Sequence, residues 1–188
     1  MTTASPDRQP NFNIVAGEIN LDLIPPDWAL TPLRDKKAYI AGWPSQPYTI
    51  DQIRRELEDG KATGIGLITG QWSNEGGLIW VDIDGPEAIP ELEKLGGGTL
   101  SEIFPPTLTI SSGKKDRQRM LFSIPTSKIG LLPDKATIKI GISSFEILFR
   151  SRQGAIMGSH PETEGYFTTE HGNFEYAKNP PEMPEWLY

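Results

Sequence analysis

The chain has 188 residues, 37% hydrophobic and 23% charged, a composition that suits one globular domain with a buried core. It contains no cysteine, which excludes a disulfide framework and a zinc–thiolate site. No apolar run approaches the roughly 20 residues that span a membrane. Because residues 1–10 also lack a signal-peptide pattern, we expect a cytoplasmic protein.

The formal net charge is −7, but the cations are concentrated in the middle of the chain. Residues 111–152 contain nine Lys or Arg and three acidic residues, a net charge of +6, which leaves −13 for the remainder. A basic segment inside an acidic protein indicates one anion-binding face. A solvated basic loop would have the same composition, and charge alone does not separate the two.

Residues 1–18 are polar and lack hydrophobic periodicity, so we predict a disordered N-terminal segment followed by one domain over residues 19–188. The first predicted helix covers residues 48–59, where Thr49 is a suitable N-cap and a glycine follows the last turn. A second predicted helix covers residues 86–95 and opens with proline at a tolerated early position.

Several short apolar segments are predicted to be strands, since they alternate or are continuously apolar and are bounded by turn residues. Because these strands outnumber the helices, we predict an α+β fold with a mixed sheet and helices covering one face. The predicted strands are residues 29–33, 64–70, 78–83, 107–111, 119–124, 145–149 and 155–158, with a last one beginning at 166–167.

Two carboxylates, Asp82 and Asp84, lie at the end of the strand predicted over residues 78–83, which is nearly all apolar and therefore expected to be buried on both faces. Residues i and i+2 of a strand point to the same face, so both carboxylates can converge on one hard cation such as Mg²⁺. The alternative is a strand end with an Asp turn before Gly85. The apolar surroundings favour the metal site.

A third acid, Glu146, interrupts the apolar segment 145–149, where an unpaired charge would be costly. It is a candidate third metal ligand. Arg150 lies four residues further on, on the same face of an extended strand, so a buried Glu146–Arg150 pair would explain both residues. The residues alone leave these two interpretations open.

A candidate phosphate-binding loop follows the strand at 107–111. Small residues at its entry, followed by four cations, could offer backbone N–H groups and positive charge to a triphosphate, although a lysine-rich hairpin tip has a similar composition. The candidate binding residues in this loop are Ser112, Gly113, Lys114, Lys115, Arg117 and Arg119.

One of the two histidines, His160, follows the strand at 155–158 and could hydrogen-bond a phosphate or a sugar hydroxyl. The other, His171, lies in a polar loop and is assigned no role.

In this order, the segments resemble the primase–polymerase (prim-pol) domain of the archaeo-eukaryotic primase superfamily, which occurs in plasmid, phage and mobile-element replication proteins. The resemblance covers about residues 19–187. The matching segments are 36–43 (entry segment), 64–70 (glycine-bounded strand), 81–84 (acidic motif), 112–122 (nucleotide-binding loop), Glu146 (third acid) and 159–166 (a Ser-His-Pro signature). The chain departs from the pattern at Arg119, where the family has His, and in the altered spacing around Ser159 and His160.

The resemblance implies a largely antiparallel, RRM-like catalytic sheet with an N-terminal α/β portion. It implies template-directed nucleotidyl transfer by a DNA primase or DNA polymerase, with Asp82, Asp84 and Glu146 holding Mg²⁺ or Mn²⁺. Nucleoside triphosphates (dNTP or NTP) and single-stranded or primed DNA would be the partners, with Arg150, Ser159 and His160 near the nucleotide. A helicase domain or subunit would suit a module of a longer replication protein.

Two other functions are compatible with the same residues. One is a catalytically degenerate nucleotide- or DNA-binding module of a replication initiator, which the departures at Arg119 and around His160 favour. The other is a phosphohydrolase of the haloacid dehalogenase type, because residues 81–85 also suit its nucleophile motif, although proline rather than threonine follows that stretch.

Overall fold

The computed structural model describes residues 11–71, 76–169 and 172–188. The strands are β1 (Leu30–Arg34), β2 (Lys37–Ala38), β3 (Gly64–Gln71), β4 (Gly76–Asp84), β5 (Thr109–Ser111), β6 (Arg117–Pro125), β7 (Lys135–Ile140), β8 (Ser143–Leu148), β9 (Arg152–Gly158) and β10 (Phe167–Thr168). The α-helices are α1 (Ile50–Glu58), α2 (Ala88–Gly96) and α3 (Leu100–Ile103). Among the described helices, none is both long and apolar enough to cross a membrane.

The strands form one curled sheet that folds over into two layers. Strands β1, β2, β3 and β9 make the first layer, in which β3 pairs with both β1 and β9. In the second layer, β4 lies between β6 and β8, β5 extends the β6 side, and β7 extends the β8 side. A short pairing of β3 with β4 joins the layers.

The predicted α+β class is confirmed, while the mixed character of the sheet is not. All pairs between the named strands are antiparallel in the described part of the chain. The hairpins β1–β2, β5–β6 and β7–β8 account for part of this difference. Their connections are too short for the crossover that a parallel pair requires.

Strand β4 is buried on both faces, as its apolar sequence predicts. Ile79, Val81 and Ile83 are at most 1% exposed and belong to the core beneath α2 and α3. Trp80 is fully buried and belongs to the other core, between the two layers. Because side chains alternate along a strand, Asp82 and Asp84 share the face of Trp80 and point away from the helices.

Local sequence explains where the helices begin and end. The Thr49 hydroxyl accepts a hydrogen bond from the Gln52 backbone N–H, and the Gln52 side chain accepts one from the Thr49 N–H, so α1 opens with a capping box. Helix α2 ends at Gly97, which adopts the left-handed conformation with φ 78°. The sequence did not predict β2, α3 or β7, since the first two are very short and β7 is a largely exposed edge strand without an apolar run.

Residues 11–18, which belong to the predicted N-terminal segment, make contacts with the rest of the domain. Ile14 is 2% exposed, its N–H donates to the Thr168 hydroxyl at 3.1 Å, and its carbonyl accepts from the Thr168 N–H at 3.3 Å. The Phe12 carbonyl accepts from the Phe174 N–H at 3.0 Å. Ile14 therefore contacts β10, and Phe12 contacts the segment that begins at Phe174. Residues 1–10 lie outside the described residues.

Gly154 on β9 lies where the two layers approach each other most closely beside Trp80. A Cβ atom at this position would lie 2.5 Å from Trp80 Nε1 and 3.0 Å from Arg119 Nη1. We expect Gly154→Ala to lower the free energy of unfolding by about 1–3 kcal/mol, because added volume in a packed core forces its neighbours apart. Urea denaturation would measure this change.

Gly130→Ala is the matched control, because no heavy atom lies within 4 Å of a Cβ added there. It should change the free energy of unfolding by less than about 0.5 kcal/mol. An equal loss in both variants would contradict the close approach of the layers at Gly154.

Candidate active site

The candidate site is a cavity of about 190 Å³ at the open end between the two layers. It contains charged residues of both signs and draws its walls from both layers. The lining residues are Lys36, Asp82, Ile83, Asp84, Ile110, Ser112, Lys114, Arg117, Gln118, Arg119, His160 and Tyr166.

Strand register places the three predicted acids on one face of the second layer. Asp82 on β4 is directly opposite Glu146 on β8 and directly opposite Arg119 on β6. Asp84, two residues further along β4, is opposite Arg117. Side chains directly opposite each other in an antiparallel pair have Cβ atoms about 4.5–5.5 Å apart. The acids and the two arginines therefore form one cross-strand array.

Each of the three carboxylates is paired with a cation from a neighbouring strand. The pairs are Asp82 Oδ2 with Arg119 Nη2 at 3.3 Å, Asp84 Oδ1 with Arg117 Nε at 2.8 Å, and Glu146 Oε1 with Lys135 Nζ at 2.8 Å. Glu146 also accepts a hydrogen bond from the Thr137 hydroxyl at 3.1 Å. The charges of the acid array are thus compensated within the sheet itself.

The environment of Asp82 disfavours its negative charge. Burial raises the pKa of this carboxyl, the Arg119 guanidinium opposes the rise, and the carboxylates of Glu146 and Asp84 add to it. The side chain of Asp82 is only 23% exposed. A divalent cation at this position would reverse the imbalance, since it would favour the ionised form.

The donor set fits a hard divalent cation in the type of its ligands. Carboxylate oxygens are the ligands that Mg²⁺ and Mn²⁺ prefer. As the side chains are oriented, no group of three or more acidic or histidine side chains surrounds a common point within the described ranges. The reason is that each carboxylate is turned toward its own cation. Metal binding would require Asp82 and Asp84 to exchange their arginine partners for the ion.

The loop between β5 and β6 forms the cationic wall of the cavity. Its shape is held by the Ser111 hydroxyl, which accepts from the Gly113 N–H and donates to the Arg117 carbonyl, both at 3.1 Å. The Asp116 carbonyl accepts from the Gly85 N–H at 3.0 Å, which ties the loop to the end of β4. The loop therefore lies beside Asp84, as a phosphate-binding loop next to a metal site would.

His160 lies in the opposite wall. It is 8% exposed, and its ring packs edge-on against Tyr166 with centroids 5.5 Å apart. Nδ1 accepts a hydrogen bond from the Glu162 N–H at 3.2 Å, so in the neutral ring Nε2 carries the hydrogen. Burial lowers the pKa of His160, and the ammonium groups of Lys36 and Lys114 lower it further. The lowered pKa favours the neutral ring, which would donate from Nε2.

Most of the predicted nucleotide-binding residues lie together in the cavity walls. The four that do not are Gly113, Lys115, Ser159 and Arg150. Gly113 and Lys115 are exposed parts of the loop that do not line the cavity. The Ser159 hydroxyl donates to the Thr63 carbonyl at 3.3 Å and also lies outside the lining. The other histidine, His171, is assigned no role and falls outside the described residues.

Arg150 is the fourth exception, and the predicted Glu146–Arg150 pair does not form. Strand β8 ends at Leu148, so Arg150 no longer follows the alternation that would place it beside Glu146. Its guanidinium lies 3.1 Å from Asp134 Oδ1 and donates to the Ile129 carbonyl at 3.4 Å. These contacts do not support the predicted Glu146–Arg150 pair.

Five lining residues are absent from the predicted site, namely Lys36, Ile83, Ile110, Gln118 and Tyr166. Of these, Lys36 and Tyr166 lie outside strands β4, β5 and β6, which carry the other three. Both belong to segments quoted for the family resemblance, which is the signal that could have found them. No local pattern marks them, because Lys36 comes from a short turn in the other layer and Tyr166 precedes an edge strand.

Comparison with known proteins adds a family to this geometry. Residues 20–186 match the family model described as bifunctional DNA primase/polymerase, N-terminal. The matched range covers nearly the whole chain and includes all the cavity-lining residues. No curated protein matches the chain.

The state of His160 can be measured directly, because the chain contains only two histidines. We expect the His160 ring to titrate below its ordinary value of 6.5 in an NMR pH titration, with His160→Gln assigning the signal. Lys36→Gln or Lys114→Gln should raise the midpoint, because each removes a nearby positive charge.

The same shift has a consequence for stability. Because the pKa of His160 is lower in the folded chain, the unfolded chain binds a proton more readily as the pH falls below 6.5. The free energy of unfolding of wild type should therefore decrease relative to that of His160→Gln as the pH falls through this value. A midpoint above 6.5, or a stability difference of the opposite sign, would contradict the neutral histidine.

Proposed function

The chain belongs to the bifunctional DNA primase/polymerase family, and on that premise we propose that it catalyses template-directed nucleotidyl transfer with Asp82, Asp84 and Glu146 as the metal-binding acids. The observation that carries the proposal is the strand register, which places Glu146 directly opposite Asp82. Asp84 follows two residues later on β4, on the same face of the sheet. Membership of the family supports primase/polymerase-type nucleotidyl transfer in general, with nucleotides and DNA as substrates.

The three acids would hold one or two Mg²⁺ or Mn²⁺ ions. Such ions lower the pKa of an attacking 3′-hydroxyl and neutralise the charge that develops on a leaving pyrophosphate. The protein's own contribution is placement. The carboxylates stand on two adjacent strands of a packed sheet, so little side-chain motion beyond the exchange of ion-pair partners is needed to bring them together.

The triphosphate would lie against the cationic wall. Lys114, Arg117 and Arg119 all line the cavity, and a guanidinium can hold phosphate oxygens through two parallel hydrogen bonds. His160 would donate its Nε2–H to a phosphate or sugar oxygen from the other wall. Arg119 stands where the family has His, so it would supply charge and two donors in place of a neutral ring.

Several finer predictions from the sequence remain part of this proposal. Strand β4 between β6 and β8, with α2 and α3 packed on one face, supports the RRM-like arrangement of the catalytic sheet. The N-terminal α/β portion, the helicase domain or subunit and the cytoplasmic location stay predictions. The phosphohydrolase alternative loses its support, since the family match is to a different family.

A second candidate function is a nucleotide- or DNA-binding module without turnover. The ion pairs Arg119–Asp82 and Arg117–Asp84 favour it, because both arginines hold carboxylates that a catalytic metal would need. In that case metal and triphosphate would bind without any primer being made or extended.

The decisive test of catalysis is a primer-synthesis and primer-extension assay with Mn²⁺ or Mg²⁺, a template and either dNTPs or NTPs. We expect wild type to be active and Asp82→Asn/Asp84→Asn to lose about 10²–10³-fold in rate, because several kcal/mol of metal-derived charge stabilisation are removed. Asp59→Asn is the control, since Asp59 is a half-exposed acid paired with Lys61 outside the cavity lining. Wild type that synthesises nothing under any of these conditions would refute the catalytic function and leave the binding module.

The arginine–carboxylate pairs lead to a second prediction: loss of Arg119 should raise the affinity for Mn²⁺ and lower the affinity for a triphosphate. Without nucleotide, Arg119→Gln should bind Mn²⁺ about five- to tenfold more tightly than wild type, because it removes the guanidinium whose Nη2 lies 3.3 Å from Asp82 Oδ2. The same variant should bind a triphosphate more weakly. Electron paramagnetic resonance of free Mn²⁺ would measure the first effect, and calorimetry the second.

Lys94→Gln is the matched control for charge, because Lys94 is on α2 and pairs with Glu91, on the other side of the sheet from the acids. It should leave both affinities unchanged. Weaker Mn²⁺ binding by Arg119→Gln would show that Arg119 and the metal ion do not compete for the Asp82 carboxylate.

A further inference from the structure

Lys36 lies in the turn between β1 and β2, in the layer opposite the acids. Its side chain lines the same cavity as Asp82, Arg119 and His160. The cations already assigned to the triphosphate all come from the β5–β6 segment, so Lys36 approaches the cavity from a different wall.

The conformation of this turn is unfavourable for the residues that occupy it. Asp35 has φ 49° and Lys36 has φ 63°, both in the left-handed region. Strand pairing of Arg34 with Lys37 makes this a two-residue hairpin turn. Such turns prefer Asn, Asp or Gly, so turn chemistry explains Asp35 but not a lysine at the second position. Strained backbone of this kind is concentrated at functional sites.

Three hydrogen bonds from other segments hold the turn over the cavity. Gln153 Nε2 on β9 donates to the Lys36 carbonyl at 3.2 Å. The Asp35 N–H donates to the Thr63 hydroxyl at 3.3 Å, and Arg34 Nε donates to the Lys61 carbonyl at 2.8 Å. The position of Lys36 is therefore supported by contacts with β9 and with residues 61–63 before β3, and not by the turn alone.

The positive charge of Lys36 acts on the wall of the cavity that carries His160. It contributes to the lowered pKa of His160 and to the lowered pKa of Glu162. Over the described ranges, Lys36 forms no recorded ion pair, whereas Lys114 pairs with Glu162. The ammonium of Lys36 is thus available to an anion in the cavity.

We propose that Lys36 binds the triphosphate of the incoming nucleotide from the wall opposite the β5–β6 segment, an inference that rests on the proposed function. A lysine ammonium is a compact point charge with three donors on a flexible stem, suited to non-bridging phosphate oxygens. With Arg117 and Arg119 on one side and Lys36 beside His160 on the other, the triphosphate is held between the two layers. The strained, anchored turn keeps the ammonium close to this position before the nucleotide arrives.

The test compares variants of the same turn that change either the side chain or only the backbone. The affinity for a non-hydrolysable nucleoside triphosphate with Mn²⁺ is measured by calorimetry in wild type, Lys36→Gly, Lys36→Gln, Asp35→Gly and Lys37→Gln. We expect both Lys36 variants to bind about tenfold more weakly, the loss typical of a hydrogen bond to a charged group. Asp35→Gly and Lys37→Gln should bind within about twofold of wild type, because neither residue lines the cavity.

Thermal unfolding supplies a readout with the opposite sign. Lys36→Gly should raise the midpoint by about 2–4 °C while weakening triphosphate binding, because glycine adopts positive φ without strain. A loss of binding together with a gain in stability cannot come from a damaged fold.

Unchanged triphosphate affinity in both Lys36 variants would overturn the inference, and so would an equal loss in Asp35→Gly, which would assign the effect to the shape of the turn. A wild type that binds no triphosphate would refute the proposed function as well. That result differs from a wild type that binds while the Lys36 variants bind equally, which refutes the role of Lys36 alone.

Discussion

The antiparallel register of β4 between β6 and β8 is the constraint on which the rest of the site depends. Side chains alternate along a strand, so a slip of one residue would exchange Asp82 for Val81 on the acid face. The register is held from the other side of the sheet, where Ile79, Val81 and Ile83 are buried beneath the helices. Hydrophobic packing on one face thus determines the alignment of charges on the other.

That alignment produces a site whose charges compensate each other. Asp82 and Asp84 face Arg119 and Arg117 across the β4–β6 pair, and Glu146 meets Lys135 on its outer side. A metal–triphosphate complex also carries both positive and negative charges. In the proposed function, the metal would replace the arginines at the carboxylates while the phosphates would pair with the released arginines, so binding would exchange ion pairs without leaving a partly buried charge unpaired.

The curl of the sheet brings the second wall to this array. Strand β3 pairs with β9 and also with β4, which turns the first layer over the second. At the end of β9, Gly158 has φ 99°, and a Cβ there would lie 2.3 Å from the Thr63 carbonyl. Only glycine allows this close approach. It directs the chain from β9 into the segment that carries His160 and Tyr166, so the two cavity walls come from residues far apart along the chain.

The local sequence is enough to predict part of the structure of this protein. The period of a strand places Asp82 and Asp84 on one face, a capping box begins α1, and a continuous apolar run makes β4 a buried strand. Glu146, as an acid in an apolar segment, and the basic loop are also visible in the sequence, and the family resemblance assigns them roles. The pairing of Glu146 with Lys135, of Arg150 with Asp134, and the entry of Lys36 into the cavity were decided only by the tertiary structure. The reason is physical: these contacts depend on which strands become neighbours and where each strand ends. That outcome is settled by the packing of the whole core and not by the residues beside each charge.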